Sequence, residues 1–351
     1  MKRFLKRLLT FFMIPILAII LFELFVPETF FTFRVYEGLI FTNDWIPHRG
    51  PFYPNRIIYK HTKGDLCPHS TDAEIKKEFW KTDELGFRND SLIKSPDVIF
   101  IGNSFIYGTG LSQKDILTNK IRKYLPDDSR IYNMAPSSIG QFDYFLKKKI
   151  LNKPKILIYC FIDREPPVGY VPFNSGNEDN FLANLKSFFY GGLNSNVDKA
   201  LRFYSIRYLK GLAQPSQLGI KDSVSQFYFG FGKNFPEPND MKVHLFVSNL
   251  IRAQNYCRSK GIKFYYMFTP SKELVYADKL NIVYKRRVVY EIDSLLKDNG
   301  IDGLNTLDVL IHSRKLGYDK LYHSDDTHWN KLGVEVVCQE LAKDIRSLIN
   351  E

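Results

Sequence analysis

Short apolar runs alternate with longer amphipathic stretches through most of the chain after residue 96. Uninterrupted apolar runs are typical of strands buried on both faces, and apolar positions three or four residues apart are typical of helices. The pattern predicts strands at 98–101, 130–133, 156–161 and 263–269. It predicts helices at 113–124, from about residue 141, and at 241–260, 277–299 and 331–349.

These repeated strand–helix units predict an α/β fold in three layers, with helices on both faces of a central parallel sheet. We expect this domain to span residues 96–351, after an extended lead-in at 28–95 that packs on it. An insertion at about 168–238, rich in Gly, Asn, Phe and Tyr, interrupts the pattern. It is expected over the carboxyl edge of the sheet, either as a lid or substrate wall or as a packed surface insertion.

The N-terminus has the pattern of a membrane anchor. Four cations (Lys2, Arg3, Lys6 and Arg7) precede an apolar run at 8–26, which is close to the length that crosses a bilayer. A cleavable signal peptide is the rival interpretation, but no small-x-small site follows the run. We therefore expect residues 1–27 to be a basic flank and a single membrane span. Its charge predicts a cytoplasmic N-terminus, with the remainder in the periplasm or cell exterior.

Composition narrows the function classes. The formal charge of +11 is spread along the chain of 351 residues, and no nucleic-acid-binding motif accompanies it. A generally basic surface, typical of proteins near anionic envelopes, is the better account, and no nucleic-acid partner is expected. The four cysteines are widely spaced without a C-x-x-C pair, which argues against a zinc site.

Two short segments carry the candidate chemistry. Ser104 follows the apolar run 98–101, and His328 follows Asp325 and Asp326 near the C-terminus. A serine hydroxyl becomes nucleophilic when a histidine takes its proton and a carboxylate orients that histidine. Alone, Ser104 is better explained as a helix cap, but together with the histidine segment it is predicted to be a nucleophile. The orienting acid is Asp326 or Asp325.

These segments resemble the conserved blocks of the SGNH, or GDSL, hydrolase superfamily. Ile-Gly-Asn-Ser-Phe at 101–105 is similar to its Gly-Asp-Ser block, and Asp-Thr-His-Trp-Asn at 326–330 to its C-terminal block. Leu-Gly-Phe-Arg-Asn at 85–89 and the stretch 132–141 resemble further segments, in the family's order. The stretch 269–276 resembles the P-x-K-x-x-x-Y run of membrane-anchored polysaccharide O-acetyltransferases such as those of alginate acetylation.

The resemblance implies a flavodoxin-like SGNH fold and acyl-ester hydrolysis or O-acetyl transfer on an envelope or exported polysaccharide. It implies no metal or organic cofactor, and it suggests an acyl-donor partner in the membrane. It assigns Ser104, His328 and one of the two acids to catalysis. The common D-x-x-H spacing would make this acid Asp325, and the D-x-H-W variant of the polysaccharide acetyltransferases, slightly favoured, would make it Asp326. The set that it places at the substrate or oxyanion consists of Asn103, Ser138, Asp163 and Lys272.

Three positions depart from the family pattern: Asn103 replaces the usual Asp before the nucleophile, Ser138 replaces the second-block glycine, and Ile162 replaces an asparagine of the third block. The family's third block, G-x-N-D, aligns with residues 161–164, so its asparagine donor is replaced by Ile162. This departure supports a second hypothesis, a catalytically degenerate protein that binds glycan or an assembly partner. A third hypothesis is a lipid esterase, supported by the aromatic insertion and the membrane tether.

Overall fold

The structure is a computed structural model that describes residues 2–27, 29–40, 49–68, 70–163, 203–213 and 218–350. The strands are β1 Ile57–Thr62, β2 Lys76–Lys81, β3 Val98–Ile101, β4 Ile131–Asn133, β5 Ile156–Ile162, β6 Ile220–Lys221, β7 Tyr228–Phe229, β8 Lys263–Thr269 and β9 Gly303–Asn305. The helices are α1 Lys2–Phe25, α2 Val35–Leu39, α3 Ser104–Tyr107, α4 Leu117–Lys120, α5 Ile139–Lys147, α6 Tyr204–Leu212, α7 Asp240–Ser259, α8 Lys272–Val275, α9 Ala277–Leu280, α10 Arg287–Asp298, α11 Thr306–Lys315 and α12 Lys331–Asn350.

Five strands form one parallel sheet in the order β4-β3-β5-β8-β9. In chain order within the sheet this is 2-1-3-4-5, the flavodoxin-like arrangement. The strand order reverses between β3 and β5, and a ligand site is expected outside the carboxyl ends of strands at such a reversal. Ser104 follows β3 directly and therefore lies at this point.

Helices cover both faces of the sheet. Tyr265 and Tyr266 are neighbours on β8, so their side chains point to opposite faces. The Tyr265 hydroxyl donates to Asp344 on α12, and the Tyr266 hydroxyl donates to Asp293 on α10. The central strands are almost entirely buried, as the apolar runs predict. The predicted three-layer α/β/α architecture is confirmed.

Two predicted helices are broken. The stretch 113–124 consists of a 3-10 turn, the short α4 and a second 3-10 turn, with Ile116 extended between the first two. The side chain of Gln113 accepts hydrogen bonds from the Lys81 amide and the Arg88 side chain, so tertiary contacts override the local pattern. The stretch 277–299 is divided at Asn281, which adopts a left-handed conformation with φ of 55°.

The lead-in at 28–95 has more structure than an extended segment. It contains α2 and an antiparallel hairpin of β1 and β2, and Thr62 lies opposite Lys76 at the start of the connecting loop 63–75. The sequence does not predict this hairpin, because β1 and β2 have only six residues each and neither alternates between apolar and polar residues. Its loop supplies groups to the candidate site, as described below.

The N-terminal helix α1 has 24 residues and is long and apolar enough to cross a membrane. Near its carboxyl end, the buried carboxylate of Glu23 accepts hydrogen bonds from the Tyr204 and Ser205 amides. These amides begin α6, where a carboxylate is favoured by the helix dipole. Helix α6 belongs to the predicted insertion, of which residues 168–202 lie outside the described part of the chain.

Candidate active site

Ser104 is held at the end of β3 by a tight turn. Gly102 has a φ of 133°, and a side chain there would meet the Cys160 carbonyl at 2.2 Å, so only glycine fits. Asn103 caps the first turn of α3, its side-chain oxygen accepting from the Phe105 amide at 3.0 Å. The turn leaves Ser104 half-buried as the first residue of α3.

A continuous hydrogen-bonded relay joins Ser104 to the C-terminal segment. The Nε2 atom of His328 lies 2.7 Å from the Ser104 hydroxyl oxygen, and its Nδ1 atom lies 2.6 Å from the Asp326 carboxylate. Because Asp326 can only accept when ionised, Nδ1 carries the proton and Nε2 is free to accept from serine. The backbone amide of His328 donates to the same carboxylate oxygen at 3.0 Å, which fixes the carboxylate in place.

The two neighbouring acids have separate contacts. Asp325 accepts hydrogen bonds from the Gly64 amide at 2.7 Å and the Glu74 amide at 3.0 Å, and forms a buried ion pair with Lys76 at 2.5 Å. All these partners lie at the hairpin loop or at its junction with β2. Asp326 therefore contacts the His328 imidazole, whereas Asp325 holds the hairpin loop.

Burial and charge act on Asp326 in opposite directions. Burial acts to raise the pKa of this carboxyl group, but the charge and hydrogen bond of His328 outweigh it and hold the pKa well below its usual range. The group is thus ionised at neutral pH. An ionised, desolvated carboxylate is the state that stabilises an imidazolium formed beside it.

A second carboxylate lies beside the relay. Asp65, on the hairpin loop, accepts from the Thr327 amide at 3.0 Å and from the Thr327 hydroxyl at 2.8 Å. Burial and the nearby charge of Asp326 raise the pKa of Asp65. Motif comparison alone did not find Asp65, because its contact to Thr327 joins residues 262 positions apart. The sequence carries no clear signal for it, because 57–62 and 76–81 alternate in burial but not between apolar and polar residues.

Asp65, Asp326 and His328 also form the one group in the described residues with histidine and carboxylate atoms close enough to hold a metal ion, within 4.8 Å of one another. Their atoms already bind protein groups. Asp65 binds Thr327, and the facing atoms of Asp326 and His328 bind each other. The geometry therefore favours a proton relay at this position over a metal centre.

Lys272 is buried and bound within the protein. Its ammonium group donates to the carbonyls of His323 at 2.6 Å, Ser324 at 2.9 Å and Asp326 at 3.2 Å. Burial lowers its pKa to about 8. These contacts make Lys272 a support for the loop that carries the relay, and they do not place its charge at the substrate.

Asn103 and Asp163 are also engaged in internal contacts. The Asn103 amide nitrogen donates to the Thr269 hydroxyl at 2.9 Å. The Asp163 carboxylate accepts from the Ser271 amide at 2.8 Å and the Ser271 hydroxyl at 2.7 Å, which fixes the residue before α8. Neither side chain is placed as a free donor to an oxyanion.

Two backbone amides remain at the oxyanion side. The Ser104 amide lies in the first turn of α3, where no intrahelical acceptor exists. A single β-bridge between Gly102 and Ser137 brings the next residue, Ser138, beside the nucleophile turn. Ser138 is exposed, and its hydroxyl caps α5 by accepting from Gln141 at 3.3 Å. Ile162 ends β5 opposite Thr269 and brings no polar group.

Comparison with known families agrees with this geometry. Residues 244–351 match the family model described as an SGNH hydrolase-like domain of the acetyltransferase AlgX. No curated protein matches the chain. The matched range includes His328 and Asp326 and begins after Ser104. The C-terminal part of the chain is thus similar to an SGNH hydrolase-like domain of the acetyltransferase AlgX, which confirms the resemblance seen in the motifs.

Proposed function

We propose that this SGNH hydrolase-like protein is a serine acyl-ester enzyme, a hydrolase or an O-acetyltransferase, that acts on an envelope or exported polysaccharide. The observation that carries the proposal is the Ser104–His328–Asp326 relay, with contacts of 2.7 and 2.6 Å. Nucleophile, base and orienting acid within hydrogen-bond reach of one another form the arrangement that activates a serine hydroxyl.

In the first half-reaction, the Ser104 oxygen attacks the ester carbonyl while its proton passes to His328 Nε2. Asp326 stabilises the resulting imidazolium, and the amides of Ser104 and Ser138 donate to the tetrahedral oxyanion. Collapse of this intermediate breaks the bond to the leaving alcohol, which takes the proton from His328. The product is an acyl-serine.

In the second half-reaction, His328 removes a proton from an acceptor hydroxyl, which attacks the acyl-serine and releases Ser104. Water as acceptor gives hydrolysis, and a sugar hydroxyl gives O-acetyl transfer. The described residues Ser104 and Ser138 border the open side of the relay, since both are accessible to solvent. Supply of acyl groups by a donor partner in the membrane is part of the proposal.

The length and charge of α1 support a location at the cytoplasmic membrane, with the catalytic body in the periplasm or cell exterior. The helix rises about 36 Å over its 24 residues, against a bilayer core of about 30 Å. Its basic flank favours a cytoplasmic N-terminus. A reporter enzyme fused after residue 40 should be active outside the membrane, with the intact protein in the membrane fraction. Release of a shortened soluble form would instead indicate a cleaved signal peptide.

The test of the chemistry is covalent labelling of the full-length protein in detergent by a fluorophosphonate, which requires an activated serine. Ser104 should be labelled, while Ser104→Ala and His328→Ala should lose both labelling and hydrolysis of an acetyl-ester reporter. Ser294→Ala, which alters an exposed serine on α10, is the matched control and should keep both. Reporter hydrolysis by Ser104→Ala at the wild-type rate would exclude the mechanism.

A second function, binding of glycan or of an assembly partner without turnover, is supported by Ile162 at the family's amide-donor position. It predicts that the wild-type protein is never labelled but still binds polysaccharide. Labelling at Ser104 excludes this alternative, so one experiment separates the two functions.

A further inference from the structure

Helix α6, Tyr204–Leu212, has two sides of opposite character. Three apolar residues at intervals of three share one side of the helix, and all three are exposed. They are Ile206 at 52%, Leu209 at 63% and Leu212 at 49% exposure. An apolar stripe on a helix of a globular domain normally faces the core, but among the described residues this one is left open to solvent.

The other side of α6 packs on the segment that follows α1. The Tyr208 ring stacks on the Phe33 ring, with centroids 4.8 Å apart, and its centroid lies 6.0 Å from that of Phe31. Gly211 approaches Phe33 so closely that a Cβ atom there would meet the ring at 2.7 Å. Helix α6 is therefore fixed beside the point where the chain leaves α1.

Glu23 sets the depth of α6 relative to the apolar span. Its carboxylate accepts hydrogen bonds from the Tyr204 amide at 3.1 Å, from the Ser205 amide at 2.9 Å and from the Ser205 hydroxyl. Glu23 precedes the last residue of α1 by two positions, which is about 3 Å along the helix axis. If α1 crosses the membrane, its end lies at the boundary between hydrocarbon and headgroups. The first turn of α6 then lies at the same boundary.

Cations border the apolar side of α6. Arg207 follows Ile206 and Lys210 follows Leu209, so both cations lie along one edge of the stripe. Both are exposed, and α6 contains no acidic residue. Helices of this pattern lie in the plane of a membrane surface, with apolar side chains among the lipids and cations at anionic headgroups.

We propose that α6 lies in the membrane surface from which the catalytic body emerges, with Ile206, Leu209 and Leu212 inserted into a bilayer that contains anionic lipid. This inference rests on the membrane location proposed above and goes beyond it. It gives the body a second attachment, which Glu23 joins to the span across 181 positions of sequence. The Tyr204 hydroxyl also donates to the Glu37 carbonyl at 3.4 Å, which extends the attachment to α2.

The test measures the depth of spin labels on the full-length protein in nanodiscs that contain phosphatidylglycerol and phosphatidylcholine. One label is attached through Leu209→Cys, and the matched control is Leu316→Cys, at a leucine that is 66% exposed after α11. The four native cysteines are buried, so the label reacts with the introduced thiol. A water-soluble nickel chelate should relax the Leu209 label about tenfold less than the Leu316 label, while oxygen, which concentrates in lipid, should relax it more.

Each other outcome overturns the inference. Equal relaxation of the Leu209 and Leu316 labels by the nickel chelate would place α6 in water. A Leu209 label shielded from both reagents would show that protein covers the helix, either another segment or a second copy.

Two further measurements separate this inference from the proposed function. A label at Leu17→Cys, within α1, should lie in lipid; an aqueous label there would refute the span together with the inference. Hydrolysis of a small acetyl ester should still depend on Ser104 whatever the depth of the Leu209 label, so the chemistry fails or stands by itself.

The contact of Glu23 is tested by the mobility of the same Leu209 label. Glu23→Leu removes the acceptor of two backbone amides, so the label should become more mobile, whereas Glu23→Gln keeps one acceptor oxygen and should change it less. Joint replacement of Arg207 and Lys210 by glutamine should expose the label to the nickel chelate more in anionic than in neutral lipid. Unchanged mobility in Glu23→Leu, or equal exposure in both lipids, would overturn the attachment as proposed.

Discussion

Replacing Asp65 with asparagine tests how the second carboxylate acts on the relay. The variant keeps an oxygen for the Thr327 amide and a polar group for the Thr327 hydroxyl, while it removes the charge. Atoms of Asp65, Asp326 and His328 lie within 4.8 Å of one another. At an effective dielectric constant of about 20, two unit charges at that distance interact by roughly 3–4 kcal/mol. Screening by the remaining groups makes this an upper bound.

Loss of the Asp65 charge should shift the pH–rate profile in one direction. An ionised Asp65 favours the imidazolium form of His328, and that form cannot act as a base. In Asp65→Asn, the acid limb of kcat/KM for an acetyl-ester reporter should therefore move to lower pH, by about one unit. The plateau rate should change little. Asp65→Ala, which also removes both contacts to Thr327, should lower the plateau by roughly 10- to 100-fold.

Ionisation of Asp65 should destabilise the folded state, whereas ionisation of an acid in an ordinary ion pair stabilises it. Burial and the charge of Asp326 raise the pKa of Asp65 above its unfolded value of 3.8. The folded state is then penalised once pH exceeds the folded pKa, and no penalty exists below the unfolded pKa. Asp65→Asn should melt at a higher temperature than wild type at pH 7 and at the same temperature near pH 3.

The matched control is Asp72→Asn, which alters an exposed acid on the same loop, paired with Lys221 at 2.6 Å. It should not shift the acid limb, and it should not raise the melting temperature at pH 7, because it removes an attraction to Lys221 and not a repulsion. An unchanged profile in Asp65→Asn together with a full rate in Asp65→Ala would refute the role given to Asp65.

Four further variants separate residues that act in the chemistry from residues that hold the site. Asp326→Asn should reduce kcat by about 10⁴-fold with little change in melting temperature. Asp325→Asn should instead destabilise the fold by about 3 kcal/mol, because it leaves buried Lys76 without its ion-pair partner. Equal effects of the two variants in thermal melts and kinetics would contradict this assignment. Lys272→Met should lower both kcat and melting temperature, since it leaves loop carbonyls without a donor, and an unchanged kcat would argue against its support of the loop. Ile162→Asn should raise kcat by up to roughly 100-fold if the new amide reaches the oxyanion. The buried amide should lower the free energy of unfolding by about 1–3 kcal/mol. An unchanged kcat would mean that the side chain at position 162 points away from the site.

Patterns that depend on local sequence were predictable, and contacts between distant segments were not. Strand β8 was placed at its observed bounds because it is an uninterrupted apolar run. The final helix was placed within one residue, since its periodicity is regular. Strand β9 and helix α11, which follows it directly, were not predicted. Strand β9 has only three residues at the edge of the sheet, which is too short for a recognisable pattern. The contact of Asp65 with Thr327 has no local signature, so only the folded chain reveals it.

The site is divided between segments that the family match treats differently. The matched range 244–351 supplies His328 and Asp326, together with the Lys272 contacts that hold their loop. The nucleophile turn and the hairpin loop precede that range, so the match covers the segment of His328 and Asp326 but not that of Ser104. The 2.7 Å contact between His328 and Ser104 joins the two parts across 224 positions of sequence. Catalysis by this chain therefore requires this contact more than either motif alone, and labelling of Ser104 is the measurement that tests it.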